Sequence, residues 1–378
     1  MKYIITKAAI LSVLISLILF SCTYLTKAIK YTNAGIDDYK IFDNRVIRAG
    51  EEQIWMNTID YNTKEISSEK LDKFKEFETI AFLILENGSI KYEKYWMGYD
   101  ENSLTNSFSA AKSIVALLVG IAIDEGKIKS VDQKVGEFIP EFSKGKNADL
   151  TIKDVLTMSS GLNWNESYGS PFSVTTKAYY GTNLDRLILK LKTIEEPGKV
   201  FKYLSGNTQL LAMILQKATG KNISDYASEK LWKPLGAKND ALWCLDEEEG
   251  MEKAYCCFNS NARDFARIGQ LCLNKGKWGT KQIISEKYLE DALSSASYLV
   301  DEDGKKVDYY GYQWWIINYK GMDIPYARGI LGQYIFVIPQ KNAVVVRLGH
   351  KRSEERTGAH TNDAFLYLDA AFEILEKK

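Results

Sequence analysis

The chain has 378 residues, 46% of them hydrophobic, and its 49 basic residues balance its 49 acidic ones. This length exceeds the size at which a single hydrophobic core stops growing, so one large two-lobed domain or two domains are expected. The zero net charge and the lack of a basic cluster argue against binding to nucleic acid. No repeat with a period of about 20 to 50 residues is visible, which argues against a repeat architecture.

The first 22 residues have the pattern of an export signal. Two lysines precede an apolar run over residues 8–20, which is followed by a serine and Cys22. A charged start, a short apolar segment and a small residue before the break are typical of a secretory signal peptide. The end of this stretch resembles a bacterial lipobox, with the bulky Phe20 as a departure, and predicts lipidation of Cys22. The alternative is an uncleaved anchor or short transmembrane helix. Either would place the rest of the chain outside the cytoplasm, attached to the bacterial membrane and facing the periplasm or the exterior.

After the signal, the sequence predicts an irregular extension, then a β-hairpin and then a helix. Residues 23–70 are polar and irregular, which predicts a tether or N-terminal extension in front of a folded domain over residues 71–378. Two β-rich runs around an Asn-Gly pair, within residues 80–96, predict a hairpin. A central helix is predicted from Ser109 to Gly126, where the glycine would end it.

The middle of the chain, from about residue 130 to 290, has mostly helical spacing, and strands return after it. Three predicted strands and a C-terminal helix follow, over residues 312–317, 333–338, 343–348 and 363–375. The chain would therefore leave a sheet, build an all-helical lobe and return to complete the sheet. This order predicts an α+β fold with a cleft between two lobes, which is a common place for an active site.

The motif Ser109-x-x-Lys112 offers a nucleophile and a base on one turn of helix. Side chains three residues apart lie on the same helical face. If Asn106 or Ser107 caps the helix, Ser109 lies in its first turn, where free backbone N–H groups favour developing negative charge. The apolar run after Lys112 would strip the lysine of water, which favours the neutral amine that accepts a proton. Such a short pattern also arises by chance, so it does not identify an enzyme alone.

Histidine chemistry and metal sites are not indicated. The chain has only two histidines, His350 after a predicted strand and His360 in a polar loop, and it has no G-x-S-x-G nucleophile elbow. Neither histidine has a partner at metal-ligand spacing, and no phosphate-binding glycine loop is present, so no metal and no cofactor is expected. The remaining cysteines match no zinc pattern, and adjacent cysteines rarely bond to each other. This predicts buried free thiols at Cys244, Cys256, Cys257 and Cys272.

Two further segments could contribute to an active site. Tyr203, Ser205 and Asn207 alternate along an extended stretch, so their phenol, hydroxyl and amide would share one face. A tyrosine near a lysine ammonium is favoured as phenolate and would shuttle protons for a serine. The structural alternative is that Tyr203 packs among aromatic residues and Asn207 caps the following helix.

The last segment is the glycine-bearing stretch that contains Gly329. A glycine at the edge of a strand lets a ligand approach the backbone closely. Backbone N–H groups there, together with that of Ser109, would form an oxyanion hole. An ordinary glycine-bearing hairpin is the alternative.

The order and spacing of three motifs resemble those of the serine β-lactamase and penicillin-binding-protein superfamily: Ser109-x-x-Lys112, Tyr203-x-Ser205-x-Asn207 and the glycine-rich strand at Gly329. The resemblance covers roughly residues 75–375 and is to the class C-like branch, close to the 6-aminohexanoate-dimer hydrolases and related esterases. It implies a β-lactamase-like α+β fold, in which helices flank an antiparallel sheet. An all-helical lobe over about residues 130–290 would be inserted, and the active site would lie between the lobes.

The resemblance also implies roles for individual residues. Ser109 would attack a carbonyl carbon and form an acyl-enzyme, and no cofactor would be required. Lys112 and Tyr203 would share the general-base and proton-shuttle work, while the backbone N–H groups of Ser109 and Ile330 would hold the oxyanion. Other residues are expected to support the site or bind the small acyl, amide or ester substrate: Ser205, Asn207, Gly329, Tyr168 and Asn259.

The third motif departs from the superfamily pattern. Lactamases and D-alanyl peptidases have Lys-Thr-Gly there, whose lysine helps to bind the substrate carboxylate, whereas this chain has Ala327-Arg328-Gly329. Arg328 is one position out of phase and should face away from the position of that lysine. A membrane-tethered amidase or esterase is therefore favoured. The alternatives are a catalytically silent relative that binds peptidoglycan or a peptide, a true β-lactamase or D,D-peptidase, and an unrelated extracellular binding module.

Overall fold

The computed structural model describes residues 23–31, 33–168 and 170–376. The predicted export signal over residues 1–22 and the predicted lipidation site, Cys22, lie outside the described residues. In the part of the chain that is described, no helix combines the length and the apolar character needed to cross a membrane.

The strands form two larger antiparallel sheets and two short hairpins. In chain order they are β1 (Asn44–Ile47), β2 (Thr79–Glu86), β3 (Ser89–Tyr95), β4 (Thr105–Asn106), β5 (Ala241–Cys244), β6 (Phe258–Ser260), β7 (Lys277–Trp278), β8 (Lys281–Gln282), β9 (Trp315–Tyr319), β10 (Met322–Gly329), β11 (Gln333–Ile338), β12 (Ala343–Gly349), β13 (Arg356–Thr357) and β14 (His360–Thr361). The main sheet has the order β3-β2-β12-β11-β10-β9, and the smaller sheet has the order β1-β5-β6-β4. The strands β7 and β8 form one hairpin, and β13 and β14 form the other.

The chain leaves the main sheet after β3 and returns to it at β9, as the sequence predicts. β2 pairs with β12, so the first hairpin closes against a strand from the C-terminal part of the chain. The predicted hairpin is confirmed: β2 and β3 pair across Asn87-Gly88, and both turn residues have positive φ, as a tight hairpin turn requires. The excursion between β3 and β9 also contains the short strands β4 to β8. The lobe predicted over about residues 130–290 is therefore not all-helical, because β5 to β8 lie within it. Strands of two to four residues are too short to show a periodicity in the sequence.

Helices cover both faces of the main sheet. In chain order they are α1 (Thr23–Lys30), α2 (Ser68–Glu76), α3 (Ala111–Asp124), α4 (Ile152–Leu156), α5 (Val174–Tyr180), α6 (Leu184–Leu189), α7 (Ser205–Thr219), α8 (Ile223–Ala227), α9 (Ala262–Leu273), α10 (Glu286–Ala292) and α11 (Asn362–Leu375). Alternate residues of β2 point into two cores, with Leu83 and Leu85 on the side of α3 and Phe82 and Ile84 on the side of α11. Because both faces are covered, this strand is a continuous apolar run.

The central helix α3 is buried along almost its whole length. Every residue from Ala111 to Ala122 is buried, which its apolar sequence explains. Gly120 permits close packing, because a Cβ there would lie 2.4 Å from a ring carbon of Tyr288. The helix is followed by Gly126 in the left-handed conformation, as predicted. The helix thus gives a rigid support to the residues at its N-terminus.

Part of the predicted tether, residues 23–70, is built into the fold. The strand β1 pairs with β5 along its whole length, and Ile36 and Ile47 are fully buried. The sequence pattern did not show β1 because this strand lies at the edge of the smaller sheet and only one of its side chains, that of Ile47, is buried.

Candidate active site

Ser109 lies in a short 3-10 turn, Phe108–Ala110, that leads into α3. The expectation that Asn106 or Ser107 caps the helix is wrong, because α3 begins after the turn and has no side-chain cap. The Asn106 Oδ1 instead accepts a hydrogen bond from the Phe108 N–H (2.8 Å). Phe108 has a φ of +45°. Bulky residues rarely adopt this conformation, and active sites are one of the places where it recurs.

Lys112 reaches Ser109 from one turn further along, as the spacing predicts. Its Nζ donates hydrogen bonds to the Ser109 Oγ (3.0 Å) and to the main-chain oxygen of Tyr255 (2.8 Å). The residue is only 1% exposed, and the described part of the chain gives it no ion-pair partner. The amine is therefore held by two neutral oxygens, and no carboxylate competes with Ser109 for it.

Tyr203 brings its ring to the same amine. The Lys112 Nζ lies 5.1 Å from the centroid of this ring. The ring also packs against Trp315 at 5.4 Å and against Tyr310 at 6.1 Å, measured between centroids. None of the described residues hydrogen-bonds the Tyr203 hydroxyl. Aromatic packing thus fixes the ring, and the oxygen stays available to a substrate or a proton.

Gly329 ends β10 against the segment that precedes the nucleophile. A Cβ at this position would lie 2.1 Å from the main-chain oxygen of Ser107, so only glycine fits without movement of the backbone. The strand also contacts the turn that carries Ser109. This close approach brings the next residue, Ile330, near the start of α3, where the two predicted oxyanion donors would have to meet.

A carboxylate that sequence reasoning missed, Glu166, organises one wall of the site. Its Oε1 accepts from the Ser205 Oγ (2.5 Å) and from the Tyr168 hydroxyl. Its Oε2 accepts from the Ser205 N–H (2.6 Å) and from the Trp164 Nε1–H (2.8 Å). Four donors thus occupy the roughly four acceptor positions of one carboxylate. Two predicted substrate-binding residues, Ser205 and Tyr168, are held with their hydroxyl protons on Glu166.

The Tyr168 side chain is more than half exposed, and its hydroxyl donates to the Glu166 carboxylate. Loss of hydration there, the negative charge of Glu166 and the neighbouring Tyr203 raise the pKa of Tyr168 well above its ordinary value. The phenol therefore stays protonated and keeps donating to Glu166 throughout the neutral range. Tyr168 thus lies close enough to both Glu166 and Tyr203 for their charges to affect its pKa.

Replacing Glu166 by glutamine is expected to raise KM about tenfold and to change kcat by less than about threefold. The amide NH2 would face N–H and O–H donors and would release Ser205 and Tyr168, while the hydrogen bond between Lys112 and Ser109 would remain. Steady-state kinetics on one ester substrate measure both constants. The exposed Glu248 provides the matched control, Glu248→Gln. A fall in kcat at constant KM would contradict the substrate-holding role.

Two predicted site residues are not at the surface of the cleft. Asn207 is fully buried in α7, where its Oδ1 accepts from the Ser160 Oγ (2.7 Å) and its Nδ2 donates to the Met158 sulfur (3.4 Å). Asn259 is fully buried in β6, and its Nδ2 donates to the main-chain oxygen of Cys257 (2.8 Å). Both amides tie neighbouring segments together, so the structure gives them a structural place rather than a place in the cleft.

Arg328 is engaged away from the pair formed by Ser109 and Lys112. Its guanidinium carbon lies 3.3 Å from the centroid of the Trp315 ring, and its Nη1 donates to the main-chain oxygen of Ala359 (2.8 Å). These contacts agree with the expectation that Arg328 does not take the place of a carboxylate-binding lysine.

The expectation of free thiols at Cys256 and Cys257 is wrong, because these neighbours form a disulfide. Cys257 has a φ of +69°, an unusual conformation that sequence spacing could not indicate. Cys244 and Cys272 are buried free thiols, as predicted. The disulfide directly follows Tyr255, whose main-chain oxygen binds Lys112. Sequence reasoning missed Tyr255 because a main-chain acceptor carries no signal of residue type.

The two histidines serve other contacts. His350 hydrogen-bonds the Tyr99 hydroxyl through its Nε2 (3.2 Å), and His360 hydrogen-bonds the Tyr326 hydroxyl through its Nδ1 (2.8 Å). The described residues contain no group of three or more histidine, cysteine, aspartate or glutamate side chains that could hold a metal ion.

His360 is expected to make the fold sensitive to acid. Burial, together with the charges of Arg328 and Arg356, lowers the pKa of His360 to about 3. The unfolded chain would bind a proton at this residue near pH 6.5, whereas the folded one would not do so until about pH 3. The stability contributed by the neutral ring is therefore complete above pH 6.5 and is lost as the pH falls towards 3.

Urea unfolding at pH 7 and pH 4.5 tests this expectation. Between these values the wild type should lose roughly 3 kcal/mol more of its free energy of unfolding than His360→Gln does. The control His350→Gln should keep most of this difference, because His350 is only half-buried. Equal losses in the wild type and His360→Gln would contradict the assignment.

Comparison with known proteins gives the family. The model of the Beta-lactamase family matches residues 68–368. The 6-aminohexanoate-dimer hydrolase of Paenarthrobacter ureafaciens is 28% identical over 315 residues, which cover 79% of either chain. The teichoic acid D-alanine hydrolase of Staphylococcus aureus is 28% identical over 227 residues, covering 55% of this chain and 52% of the relative.

Solved structures agree with the fold. A candidate 6-aminohexanoate-dimer hydrolase from Bacillus anthracis superposes with a TM-score of 0.76 and 21% identity, over 90% of this chain and 92% of the other. A family VIII carboxylesterase superposes with a TM-score of 0.63 and 17% identity, over 82% of this chain and 99% of the other. The predicted β-lactamase-like α+β fold and the predicted resemblance are both confirmed. The chain belongs to the Beta-lactamase family and is a serine hydrolase related to its esterases and amidases.

Proposed function

We propose that this hydrolase cleaves an ester or amide bond through an acyl-enzyme on Ser109. The observation that carries the proposal is the hydrogen bond between the Lys112 Nζ and the Ser109 Oγ (3.0 Å), made by a buried lysine without an ion-pair partner among the described residues. A serine hydroxyl is a weak nucleophile unless a neighbouring group takes its proton. Lys112 and Tyr203 are the groups beside it that can exchange a proton.

In the proposed reaction the Ser109 Oγ forms a bond to the substrate carbonyl carbon, and its proton passes to the Lys112 amine, either directly or by a relay through the Tyr203 hydroxyl. The carbonyl electron pair moves onto oxygen, where the backbone N–H groups of Ser109 and Ile330 stabilise it. The bond to the leaving group then breaks, and the same proton goes to the leaving oxygen or nitrogen. A water molecule then attacks the acyl-enzyme ester in the same way, which releases the carboxylic acid and restores the Ser109 hydroxyl.

The contacts of the Glu166 wall bear on the kind of substrate. Ser205 and Tyr168 both give their hydroxyl protons to Glu166. Ser205 is 1% exposed and holds the carboxylate in place, whereas the exposed Tyr168 offers the lone pairs of its oxygen to a ligand. Lone pairs and a nearby carboxylate suit a substrate with N–H donors, such as an amide or an ammonium group. The names of two relatives, a 6-aminohexanoate-dimer hydrolase and a teichoic acid D-alanine hydrolase, each contain an amino acid.

Kinetics on a matched set of substrates test the proposal. One acyl group is offered as a p-nitrophenyl ester and as an anilide, once with a free ammonium group and once with a carboxylate in its place. We expect turnover, with the ammonium form preferred. A folded wild type that turns over neither the ester nor the anilide would support a silent binding relative. Preferred hydrolysis of penicillin or of a D-alanyl-D-alanine peptide would identify a lactamase or D,D-peptidase.

We also propose that the enzyme is exported and held at the membrane through Cys22. The support is the charged and apolar pattern of residues 1–22 that ends at this cysteine. Fractionation of cells that produce the full chain tests this idea. The wild type should sediment with membranes, and Cys22→Ser should appear in the soluble export fraction. Membrane attachment of Cys22→Ser would instead indicate an uncleaved anchor.

A further inference from the structure

A groove of about 330 Å³ lies at the end of the main-sheet strands that is remote from Ser109. Its lining contains two tryptophans, Trp55 and Trp278, five amide side chains and no charged side chain. The length of strand β11 gives the distance between the groove and the active site. It starts at Gln333, which pairs with Gly329, and ends at Ile338, which pairs with the residue after Asn342 of the groove. The five residue-to-residue steps from Gln333 to Ile338 span roughly 17 Å.

The two tryptophans present ring surfaces rather than N–H groups. The Trp55 Nε1–H donates to the main-chain oxygen of Arg263 (3.1 Å), and the Trp278 Nε1–H donates to the Gln53 Oε1 (2.6 Å). The ring centroids lie 6.0 Å apart at an angle of 81°, so the rings form two walls of a corner. The guanidinium carbon of Arg267 lies 4.9 Å from the centroid of the Trp55 ring and covers one face of it, so Trp55 offers only its other face. An indole face carries partial negative charge and attracts the partly positive C–H groups on the face of a pyranose ring.

The amide side chains form pairs that leave hydrogen-bonding groups over. The Asn342 Nδ2 donates to the Asn87 Oδ1 (2.7 Å), and the Gln270 Nε2 donates to the Asn274 Oδ1 (2.8 Å). Each pair keeps one amide NH2 and one carbonyl oxygen without a partner among the described residues. Gln270 is 4% exposed, and its buried Oε1 has no hydrogen-bond partner there. A buried acceptor of this kind needs a donor, which an ordered water molecule or a ligand hydroxyl can supply.

Neutral sugar units match this combination of groups. Each sugar hydroxyl both donates and accepts, so it can bond the spare NH2 and the spare carbonyl oxygen of one amide pair. A phosphate or carboxylate ligand would find no cation in the lining, and a purely apolar ligand would leave the amides unpaired. We propose that this groove binds neutral pyranose units of an oligosaccharide or polysaccharide and so anchors the enzyme away from its catalytic cleft.

Calorimetric titration of the protein with an N-acetylglucosamine tetramer and with cellotetraose tests the proposal. We expect binding in the micromolar to millimolar range, weakened at least about tenfold (~1.4 kcal/mol) by Trp278→Ala and by Asn274→Ala. Trp278→Phe, which keeps an aromatic face, should stay within about threefold of the wild type. Asn318→Ala, an exposed amide on β9 outside the groove, is the matched control and should bind normally. The far-UV circular dichroism spectrum of each variant reports whether it is folded.

Three outcomes would overturn the proposal: no binding of either oligosaccharide at millimolar concentration, unchanged binding in Trp278→Ala, or binding of polyanions alone. Sedimentation with insoluble chitin and cellulose shows whether the protein binds a polysaccharide surface or only free oligosaccharides. Binding to the soluble oligomers without sedimentation supports a free oligosaccharide as ligand, whereas binding in both assays supports a polysaccharide surface. Neither readout depends on hydrolysis, so the result is independent of the proposed reaction.

Discussion

Lys112→Met is expected to reduce the rate of acylation at least about 1000-fold, because it removes the only amine that hydrogen-bonds the Ser109 Oγ in the described part of the chain. The methionine would fill the same buried space among apolar side chains, so the fold should persist with some loss of stability from the unpaired oxygen of Tyr255. Stopped-flow measurement of p-nitrophenol release gives the acylation rate directly.

Lys112→Arg separates charge from proton transfer. Arginine keeps a positive charge near Ser109 but cannot serve as a base in a protein. If Lys112 accepts the proton, Lys112→Arg should be nearly as slow as Lys112→Met, whereas recovery of most of the rate would mean that only the charge matters. Lys127→Met, on an exposed lysine just beyond α3, is the matched control. Acylation within about threefold of the wild type by Lys112→Met would contradict the assigned role.

Tyr203→Phe is expected to lower kcat about 100- to 10,000-fold on an anilide and much less on a p-nitrophenyl ester. The phenol is proposed to hand a proton to the leaving group, and p-nitrophenolate leaves without one, whereas an aniline nitrogen does not. Ring packing against Trp315 and Tyr310 is unaffected by loss of the hydroxyl, so the free energy of unfolding should change little.

Tyr309→Phe is the control for this substitution. Tyr309 packs on the same Trp315 ring, at 6.3 Å between centroids, and its hydroxyl points to Asp301 rather than to Lys112. It should keep wild-type rates on both substrates. Equal losses on ester and anilide in Tyr203→Phe would contradict a proton transfer to the leaving group and would indicate a role in activating Ser109 alone.

The parts of the site that the sequence predicts are those set by local geometry. Ser109 and Lys112 are three residues apart, and helical spacing alone brings them together. The role of Gly329 can be predicted because a glycine at the end of a strand indicates close backbone approach. The structure shows that approach to the main-chain oxygen of Ser107. The central strands β2, β11 and β12 are likewise predictable from the sequence, since they are mostly apolar runs that end at turn residues.

The parts that it misses depend on contacts between distant segments. Glu166 stands in a loop without periodicity, and its partner Ser205 is 39 residues away. The oxygen of Tyr255 that holds Lys112 belongs to the main chain, so the side chain gives no hint of it. Asn207 and Asn259 carry amides that suit a binding site as well as a structural contact, and only their hydrogen bonds to neighbouring segments distinguish these roles.

The most direct test of the account is to find the covalent bond that it requires. Protein treated with a fluorophosphonate, and in parallel with a slowly deacylated ester, is digested, and the modified peptide is identified by mass spectrometry. We predict one adduct on Ser109, absent from Ser109→Ala and present in Ser143→Ala, a control on an exposed serine whose hydroxyl bonds Pro140. An adduct on another residue, or no adduct on the folded wild type, would contradict the claim that Ser109 is the nucleophile.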